Sequence, residues 1–391
     1  MVHRDNRERS PRAGDQGKQR HVDPFPTETI EQPTTPRVLA GTAGKRGAHP
    51  VARRDHGDVR DRPAEVGDER ARPGDVVHVA LADQIDQRFA EAQDSPRGGL
   101  VRGRVHGRGR YPRYRVHVDE HTIDLDGSPA FYRRASPSAA EITSHSPLYL
   151  HGVPTSSDDW TPFLERTGGI APDLIGFGRS GKSGHLDYSL DGLAGFVERL
   201  LTRLGIGRVT LVGHDWGAAV GLVFAQRRPE RIERLVVCNA IPLLDGFRWH
   251  RPARLWRVPG VGEILMGSIS RRLLARALRS GCVNPDAWPD TRVAAVWEQF
   301  DQGTQRAILR LHRSADERGL AAAGEGLASI DAPALVLWGE RDPWLPASFA
   351  DAYAATLPRA TAERVADAGH WPWLDRPVTV DRVAAFVEGG S

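Results

Sequence analysis

The sequence predicts a protein of the α/β class, with a mostly parallel central sheet flanked by helices and a helical cap inserted into the sheet domain. Strand and helix patterns alternate between residues 169 and 238. A helical, arginine-rich stretch then occupies residues 243 to about 328, after which the strand pattern resumes at 334–338. Because parallel strands need helical crossovers, this order is typical of a sheet covered on both faces.

The individual elements follow from hydrophobic periodicity and turn residues. Short strands at 115–118, 122–125 and 130–133 are expected to form a meander that turns at residues 126–127. Continuous apolar runs predict buried strands at 147–150, 169–174, 209–212, 235–238, 334–338 and 362–365. Helical spacing predicts core helices at 190–204, 216–227 and 378–387, and cap helices at 269–278, 291–300 and 304–312.

Aromatic residues divide the chain into unequal parts. All ten tryptophans follow residue 150, and before Tyr111 the only aromatic residues are Phe25 and Phe89. Residues 1–114 are therefore expected to be a disordered Arg/Gly/Pro-rich extension, although its arginines also fit an arm that binds polyanions. The expected domains after it are 115–242 as the first part of the core, 243–328 as the cap and 329–391 as the second part of the core.

Charge and cysteine content indicate which partners and which cellular location to expect. The formal net charge of +3 gives the whole chain no affinity for nucleic acid or for an acidic membrane, so neither is an expected partner. Cys238 and Cys282 are far apart, and no apolar leader or run of eighteen apolar residues occurs. A reduced, cytoplasmic location is the expectation.

The segment 213–217, Gly-His-Asp-Trp-Gly, carries the strongest chemical signal. It joins a predicted strand to a predicted helix, and a turn this sharp needs small residues two positions either side of its apex. Asp215 occupies that apex and lies at a helix N-terminus, which favours an anion. An ionised aspartate there is already a nucleophile, whereas simple helix capping would not require glycine on both sides.

Two further segments supply an acid and a base in the chain order nucleophile, acid, histidine. Asp342 follows the strand at 334–338 in a turn, and His370 lies in the loop after the next strand. Each residue alone fits an ordinary turn or loop. Together with Asp215 they predict a catalytic triad in which Asp342 orients His370.

Backbone N–H groups of Val153 and Trp216 are the expected oxyanion-hole donors. Residues 151–154, His-Gly-Val-Pro, follow the strand at 147–150, so that the Val153 N–H is directed at the oxygen of a tetrahedral intermediate. Trp216 directly follows the nucleophile and begins the helix. Gly152 is otherwise an ordinary turn glycine.

Residues 176–183, Gly-Phe-Gly-Arg-Ser-Gly-Lys-Ser, match both a dinucleotide fingerprint and a phosphate-binding loop. In a phosphate-binding loop the Lys-Ser pair opens a helix whose N-terminus holds the phosphate. Here the next six residues delay any helix to about residue 190. Nucleotide binding is therefore not expected.

With these motifs, residues 115–390 resemble the α/β-hydrolase fold, and within it the aspartate-nucleophile branch of haloalkane dehalogenases and epoxide hydrolases. The stretches 151–157 and 172–180 look like haloalkane dehalogenases, and Asn239 and Asp342 look like the subgroup whose acid follows the seventh strand. The resemblance implies that the Trp216 indole N–H holds a departing halide. It also implies hydrolysis through an alkyl ester on Asp215, with water and a small apolar substrate and without metal or organic cofactor.

Two departures from the family pattern leave alternatives open. Val153 stands where many dehalogenases have a halide-binding asparagine, so a cap tryptophan would have to donate instead: Trp249, Trp256, Trp288 or Trp297. Epoxide hydrolases of this branch use cap tyrosines, and no tyrosine occurs between Tyr188 and Tyr353, although His250, His312 or water would be alternative acids. A non-catalytic receptor on the same fold is the third alternative. The oligomeric state is not predicted.

Overall fold

A computed structural model describes residues 117–136 and 145–390. Its centre is an eight-stranded sheet in the order β1-β2-β4-β3-β5-β6-β7-β8. The strands are β1 Val118–Leu125, β2 Ser128–Ala135, β3 His145–Leu150, β4 Gly169–Pro172, β5 Arg208–His214, β6 Ile232–Ala240, β7 Ala334–Gly339 and β8 Ala360–Val365. Strands β1, β2 and β4 pair antiparallel, and every other neighbouring pair is parallel.

The prediction of a meander at the start of the sheet is wrong in one respect. Strand β1 runs without a break through residues 119–121, where the sequence pattern indicated a gap, and forms a hairpin with β2 at the predicted turn. The polar residues fit there because β1 is the edge strand, so that His121 stacks on Tyr132 at 5.0 Å and Glu120 pairs with Arg133. The predicted 115–116 portion lies outside the described residues.

Helices cover the sheet and form the insertion. The core helices are α1 Thr161–Thr167, α2 Leu190–Arg203, α3 Asp215–Arg227, α10 Ser348–Thr356, α11 Pro372–Asp375 and α12 Val378–Val387. Between β6 and β7 lie α4 Arg251–Trp256, α5 Val261–Gly267, α6 Arg271–Ser280, α7 Asp290–Gln299, α8 Gln302–Ser314 and α9 Glu317–Ala323. Short 3₁₀ turns occur at Ser157–Trp160, Pro229–Arg231, Pro285–Ala287 and Leu327–Ser329.

Local sequence explains where these helices begin and end. Ser189 caps α2 by accepting a hydrogen bond from the Gly192 N–H, and Gly205 follows the helix in a left-handed conformation at φ +69°. Leu193 and Leu200 on one face of α2 are fully buried. The apolar spacing alone predicted the helix to within one residue of its observed end.

The predicted α/β architecture with a helical insertion is confirmed. The central strands β3, β5, β6 and β7 are almost entirely buried, and their carboxyl ends meet at the edge where the insertion begins after β6. Cys238 and Cys282 are both buried free thiols. Within residues 117–136 and 145–390 no helix is long and apolar enough to cross a membrane. The predicted extension 1–114 lies outside the described residues.

Candidate active site

The turn from β5 into α3 has the sharp geometry that its glycine spacing predicted. Asp215 takes up the left-handed backbone conformation, at φ +51°, that non-glycine residues rarely adopt. A Cβ added to Gly213 would lie 2.5 Å from the Ala218 Cα, and one added to Gly217 would lie 2.3 Å from the Leu150 carbonyl oxygen. Both positions therefore require glycine, and Asp215 is held in a strained conformation over the sheet edge.

The carboxylate of Asp215 is not engaged as the cap of its own helix. The cap position of α3 is His214, and its side chain makes no capping hydrogen bond. Instead, Asp215 Oδ2 accepts a hydrogen bond from the Val153 N–H at 2.9 Å across the sheet edge. Asp215 is only 5% exposed, which places a buried carboxylate against a backbone donor of the preceding loop.

That loop, residues 151–154, approaches the carboxylate closely at Gly152. A Cβ on Gly152 would lie 2.6 Å from the Asp215 Cβ and 2.7 Å from its Oδ2. Gly152 is thus needed for the approach, which goes beyond the ordinary role of a turn glycine. His151 fixes the loop, since its Nδ1 hydrogen-bonds the Gly152 carbonyl at 2.7 Å and its Nε2 accepts the Leu174 N–H at 2.9 Å.

A buried ion pair holds the same loop in place. Asp173 Oδ1 accepts the Ser157 N–H at 2.8 Å, and Asp173 Oδ2 pairs with Arg179 Nε at the same distance. Burial alone would raise the pKa of Asp173, but the Arg179 guanidinium outweighs it and holds the pKa below its usual value. The ionised pair therefore joins the loop after β3 to the loop after β4.

Asp342 and His370, which are 28 residues apart in sequence, meet at the carboxyl ends of β7 and β8. His370 Nδ1 lies 2.8 Å from Asp342 Oδ2, and their side chains are 4% and 0% exposed. Asp342 Oδ1 accepts the N–H groups of Trp344 and Leu345 at 2.8 and 3.1 Å. The carboxylate is thus held in an orientation that fixes the Nδ1–H tautomer of the imidazole and leaves the lone pair on Nε2.

Asn239, at the end of β6, completes the support of this pair. Its Nδ2 donates to Asp342 Oδ2 at 2.7 Å, and its Oδ1 accepts the Gly339 N–H at 3.0 Å. The residue adopts a left-handed conformation at φ +36°, which asparagine tolerates better than most side chains. Asn239 therefore acts as a positioning residue that links β6 and β7 behind the acid.

The two charges at the site influence each other. Burial raises the pKa of Asp215, while His370 and the N–H groups of Val153 and Trp216 act in the opposite direction. Burial would lower the pKa of His370, but the carboxylates of Asp342 and Asp215 outweigh it, and the pKa lies above its usual value. Asp215 and His370 are thus within electrostatic reach of each other.

Sequence reasoning missed the contacts that hold the His370 loop to the cap. The His370 N–H donates to the Gly281 carbonyl at 2.6 Å, just after α6. Asp375 accepts the Gly369 N–H at 2.8 Å and also the N–H groups of Val283 and Asn284 from the cap. No pattern in the chain marked Asp375, because two of its three partners are backbone groups of the cap, more than ninety residues away in sequence.

Trp216 is 2% exposed and contacts the cap through two rings. Its indole stacks on Trp249 at 5.6 Å and meets the edge of His312 at 5.1 Å. Trp249 Nε1 already donates to the Ala315 carbonyl at 3.2 Å. Trp288 and Trp297 instead pack on Trp371 and Phe300, respectively. Among the four cap tryptophans considered, only Trp249 contacts the Trp216 ring, and its N–H is occupied.

The nucleotide-like segment 176–183 is a loop, and the following helix begins at Leu190 as predicted. Lys182 Nζ binds Asp301 Oδ2 at 2.8 Å and the Gln299 carbonyl at 3.0 Å, which anchors the cap. Its charge is therefore used within the protein rather than directed at a phosphate. In the part of the chain that the structure describes, no group of three or more His, Cys, Asp or Glu side chains is arranged to hold a metal ion.

The class of hydrolases built on this fold is defined by three features: a residue at a strand–turn–helix apex, an acid after β7 and a histidine after β8. Residues 148–377, more than half of the chain, match the family model of the alpha/beta hydrolase fold. The chain therefore belongs to the alpha/beta hydrolase family, and its family membership makes it a hydrolase.

Individual relatives include both enzyme types of the predicted branch. A haloalkane dehalogenase from Bradyrhizobium diazoefficiens is 28% identical over 304 residues, which cover 70% of this chain and 96% of that enzyme. Epoxide hydrolase 1 from Caenorhabditis elegans is 26% identical over 255 residues, which cover 60% of this chain and only 62% of that protein. The crystal structure of haloalkane dehalogenase DbeA from Bradyrhizobium elkani matches with a TM-score of 0.60 and 27% identity over 70% of this chain and 98% of that one.

Proposed function

We propose that the protein hydrolyses a carbon–halogen bond to an alcohol and a halide through an alkyl ester on Asp215. The observation that carries this proposal is the Asp215 carboxylate itself, which is strained at the turn apex and hydrogen-bonded by the Val153 N–H of the preceding loop. A serine at that apex would need its proton removed before attack, whereas a carboxylate attacks directly.

The first step is an in-line displacement. An Asp215 oxygen forms a bond to the alkyl carbon as the carbon–halogen bond breaks, and the halogen leaves with the electron pair. The indole N–H of Trp216, the next residue in α3, would donate to the departing anion. Attack and departure require no proton transfer, so His370 stays available for the second step.

Water cleaves the ester in the second step. His370 Nε2 removes a proton from water, whose oxygen attacks the carboxyl carbon of Asp215. The N–H groups of Val153 and Trp216 would stabilise the oxyanion, and Asp342 the imidazolium. As the intermediate collapses, the alkoxide takes the proton from His370, so that water and the alkyl halide give alcohol, halide and one proton.

The protonation state of the two cap histidines, His250 and His312, favours a halide over an epoxide. An epoxide oxygen must gain a proton, whereas a halide leaves as a stable anion and needs only N–H donors. Burial lowers the pKa of His250, and it lowers that of His312 to about 4. Both cap histidines are therefore neutral near pH 7, and neither is a proton source there.

Epoxide hydrolysis is the second candidate, since the nematode relative is named an epoxide hydrolase. Both candidates share Asp215, Asp342 and His370 and differ only in the leaving group. Assays of halide release from short chloro- and bromoalkanes, run beside diol formation from styrene oxide, separate them. Halide release without diol at pH 7 is expected; diol without halide would replace the first candidate with the second.

The pH dependence of turnover should follow His370. This base must be neutral when it acts on the ester, in which Asp215 carries no charge, so that Asp342 is the carboxylate that raises its pKa at this step. Turnover is therefore expected to fall as the pH is lowered through that raised value, with the Asp215 ester accumulating below it. Asp342→Asn removes the carboxylate that pairs with His370, so it should move the acidic fall of the pH–rate profile to lower pH while reducing the rate. If that fall stays at the same pH, the proposed pairing of Asp342 with His370 is contradicted.

A further inference from the structure

Exposed apolar side chains are concentrated on one part of the cap. Among the described residues, seven large hydrophobic residues are exposed, and five of these lie on helices α4 to α6 and the links between them: Leu255, Val258, Val261, Ile264 and Leu273. Ile264 is 74% exposed, the highest value of the seven. Single exposed apolar residues are ordinary, whereas a group in one place indicates an interaction surface.

The first four of these residues form an aliphatic stripe around the turn that joins α4 to α5. They are spaced three residues apart, so that neighbours lie on the same side of a helical turn. The Val258 N–H donates to the Leu255 carbonyl at 3.1 Å, and the Gly262 N–H donates to the Val258 carbonyl at 2.8 Å. Ala253, Gly262 and Met266 are buried, and α4 and α5 both pack on α8. The hairpin is thus attached to the protein through one face and presents the stripe on the other.

The surface around the aliphatic stripe is strongly basic. Residues 251–280 contain seven arginines and a single acidic residue, Glu263, whose carboxylate is already paired with Arg313. Three of the arginines are exposed and have no hydrogen-bond or ion-pair partner within the part of the chain that the structure describes: Arg251, Arg272 and Arg276. The formal net charge of +3 for the whole chain therefore conceals a local excess of positive charge on the cap.

We propose that the α4–α5 hairpin and the exposed face of α6 dock on the surface of an anionic lipid bilayer. Apolar side chains beside unpaired cations are what such a surface accepts, because the former enter the acyl boundary while the latter bind the phosphate headgroups. The net charge of the whole chain gave no reason to expect an acidic membrane as a partner, but the distribution of that charge does. This inference does not depend on the reaction proposed at Asp215.

Two other occupants fit this surface less well. A second copy of the chain, related by a two-fold axis, would bring the unpaired arginines of both copies together, and residues 251–280 offer them no free carboxylate. A nucleic acid would use the arginines but not the aliphatic stripe, because bases stack on aromatic rings. Only a lipid surface uses both the stripe and the arginines.

Flotation of the full chain with phospholipid vesicles tests the proposal. Binding to vesicles of mixed phosphatidylcholine and phosphatidylserine is expected at low ionic strength, and it should weaken with added salt and with phosphatidylcholine alone. Ile264→Ser should lower the affinity by roughly 10-fold, because it removes the most exposed aliphatic side chain. The double variant Arg272→Gln with Arg276→Gln should lower it by roughly 10- to 30-fold, because it removes two cations that face the headgroups.

Matched substitutions elsewhere should leave vesicle binding unchanged. Val378→Ser makes a comparable change at an aliphatic residue that is 69% exposed on α12. The double variant Arg203→Gln with Arg208→Gln removes two exposed arginines near the start of β5, at the opposite edge of the sheet from the cap. Exposed substitutions of this kind change stability little, and thermal unfolding checks that each variant is folded.

Absence of binding to the anionic vesicles at low salt would overturn the proposal. Unchanged binding in a folded Ile264→Ser protein or in the Arg272 and Arg276 double variant would also overturn it, because the lipid would then be held elsewhere, for example by the arginine-rich residues 1–114. Sedimentation velocity tests for a second copy as the occupant. If Ile264→Ser abolishes self-association and leaves vesicle binding intact, the stripe is an interface between copies and the proposal is wrong.

Discussion

A His370→Gln variant is expected to release one halide per active site and then stop, with the alkyl group retained on Asp215. Glutamine cannot remove a proton from water near neutral pH, whereas attack by Asp215 does not need the base. Loss of a general base typically costs about 10²- to 10⁴-fold in the step that it serves. Because only the second step slows, the ester should accumulate to nearly every active site.

Mass spectrometry of the intact protein and of the peptide that contains Asp215 measures this adduct. The mass increase should equal the alkyl group of the substrate and should be absent from the unchanged enzyme at steady state. His185→Gln provides a matched control, because it makes the same change at an exposed loop. An alkyl group on a different residue, or halide release that continues without an adduct, would contradict the scheme.

Asp215→Asn is expected to abolish turnover with substrates of either candidate class. The amide has the same shape but is a very weak nucleophile, and a loss of roughly 10⁴-fold or more is the scale observed when a nucleophile of a catalytic triad is removed. Asparagine also tolerates the left-handed conformation at φ +51°, so the backbone strain is no worse than with aspartate. Alanine at this position would lack that advantage.

Thermal unfolding separates lost chemistry from lost structure in Asp215→Asn. Burial raises the pKa of Asp215, so the ionised carboxylate destabilises the folded state at pH values above its usual range. Removing that charge should leave the unfolding temperature at pH 8 unchanged or slightly higher. Asp286→Asn, at an exposed 3₁₀ turn, is the control that should keep full activity. Substantial turnover by a folded Asp215→Asn protein would exclude Asp215 as the nucleophile.

The parts of the fold that sequence predicts are those with strong local signals. Continuous apolar runs located β3, β5, β6 and β7, and glycines on both sides of Asp215 predicted the turn that the structure contains. Chain order alone was enough to expect Asp342 and His370 at neighbouring strand ends. These features depend on periodicity and backbone sterics, which a single sequence carries directly.

Other features depend on contacts between distant segments, which periodicity cannot supply. The polar run in β1 suggested a break because its position at the sheet edge was not yet known. The orientation of Trp249 follows from its bond to the Ala315 carbonyl, so it was not visible from residue type. The support that Asp375 gives to the His370 loop belongs to the same category.

The direct test of the central claim is a single turnover in water enriched in oxygen-18, with enzyme in excess over an alkyl halide substrate. If water attacks the carboxyl carbon of an ester on Asp215, the heavy oxygen must enter that carboxylate, and the alcohol must carry the original aspartate oxygen. We therefore expect the peptide with Asp215 to gain one heavy oxygen while the alcohol stays unlabelled. An unlabelled Asp215 together with a labelled alcohol would mean that water attacks the substrate directly, and would contradict the covalent mechanism.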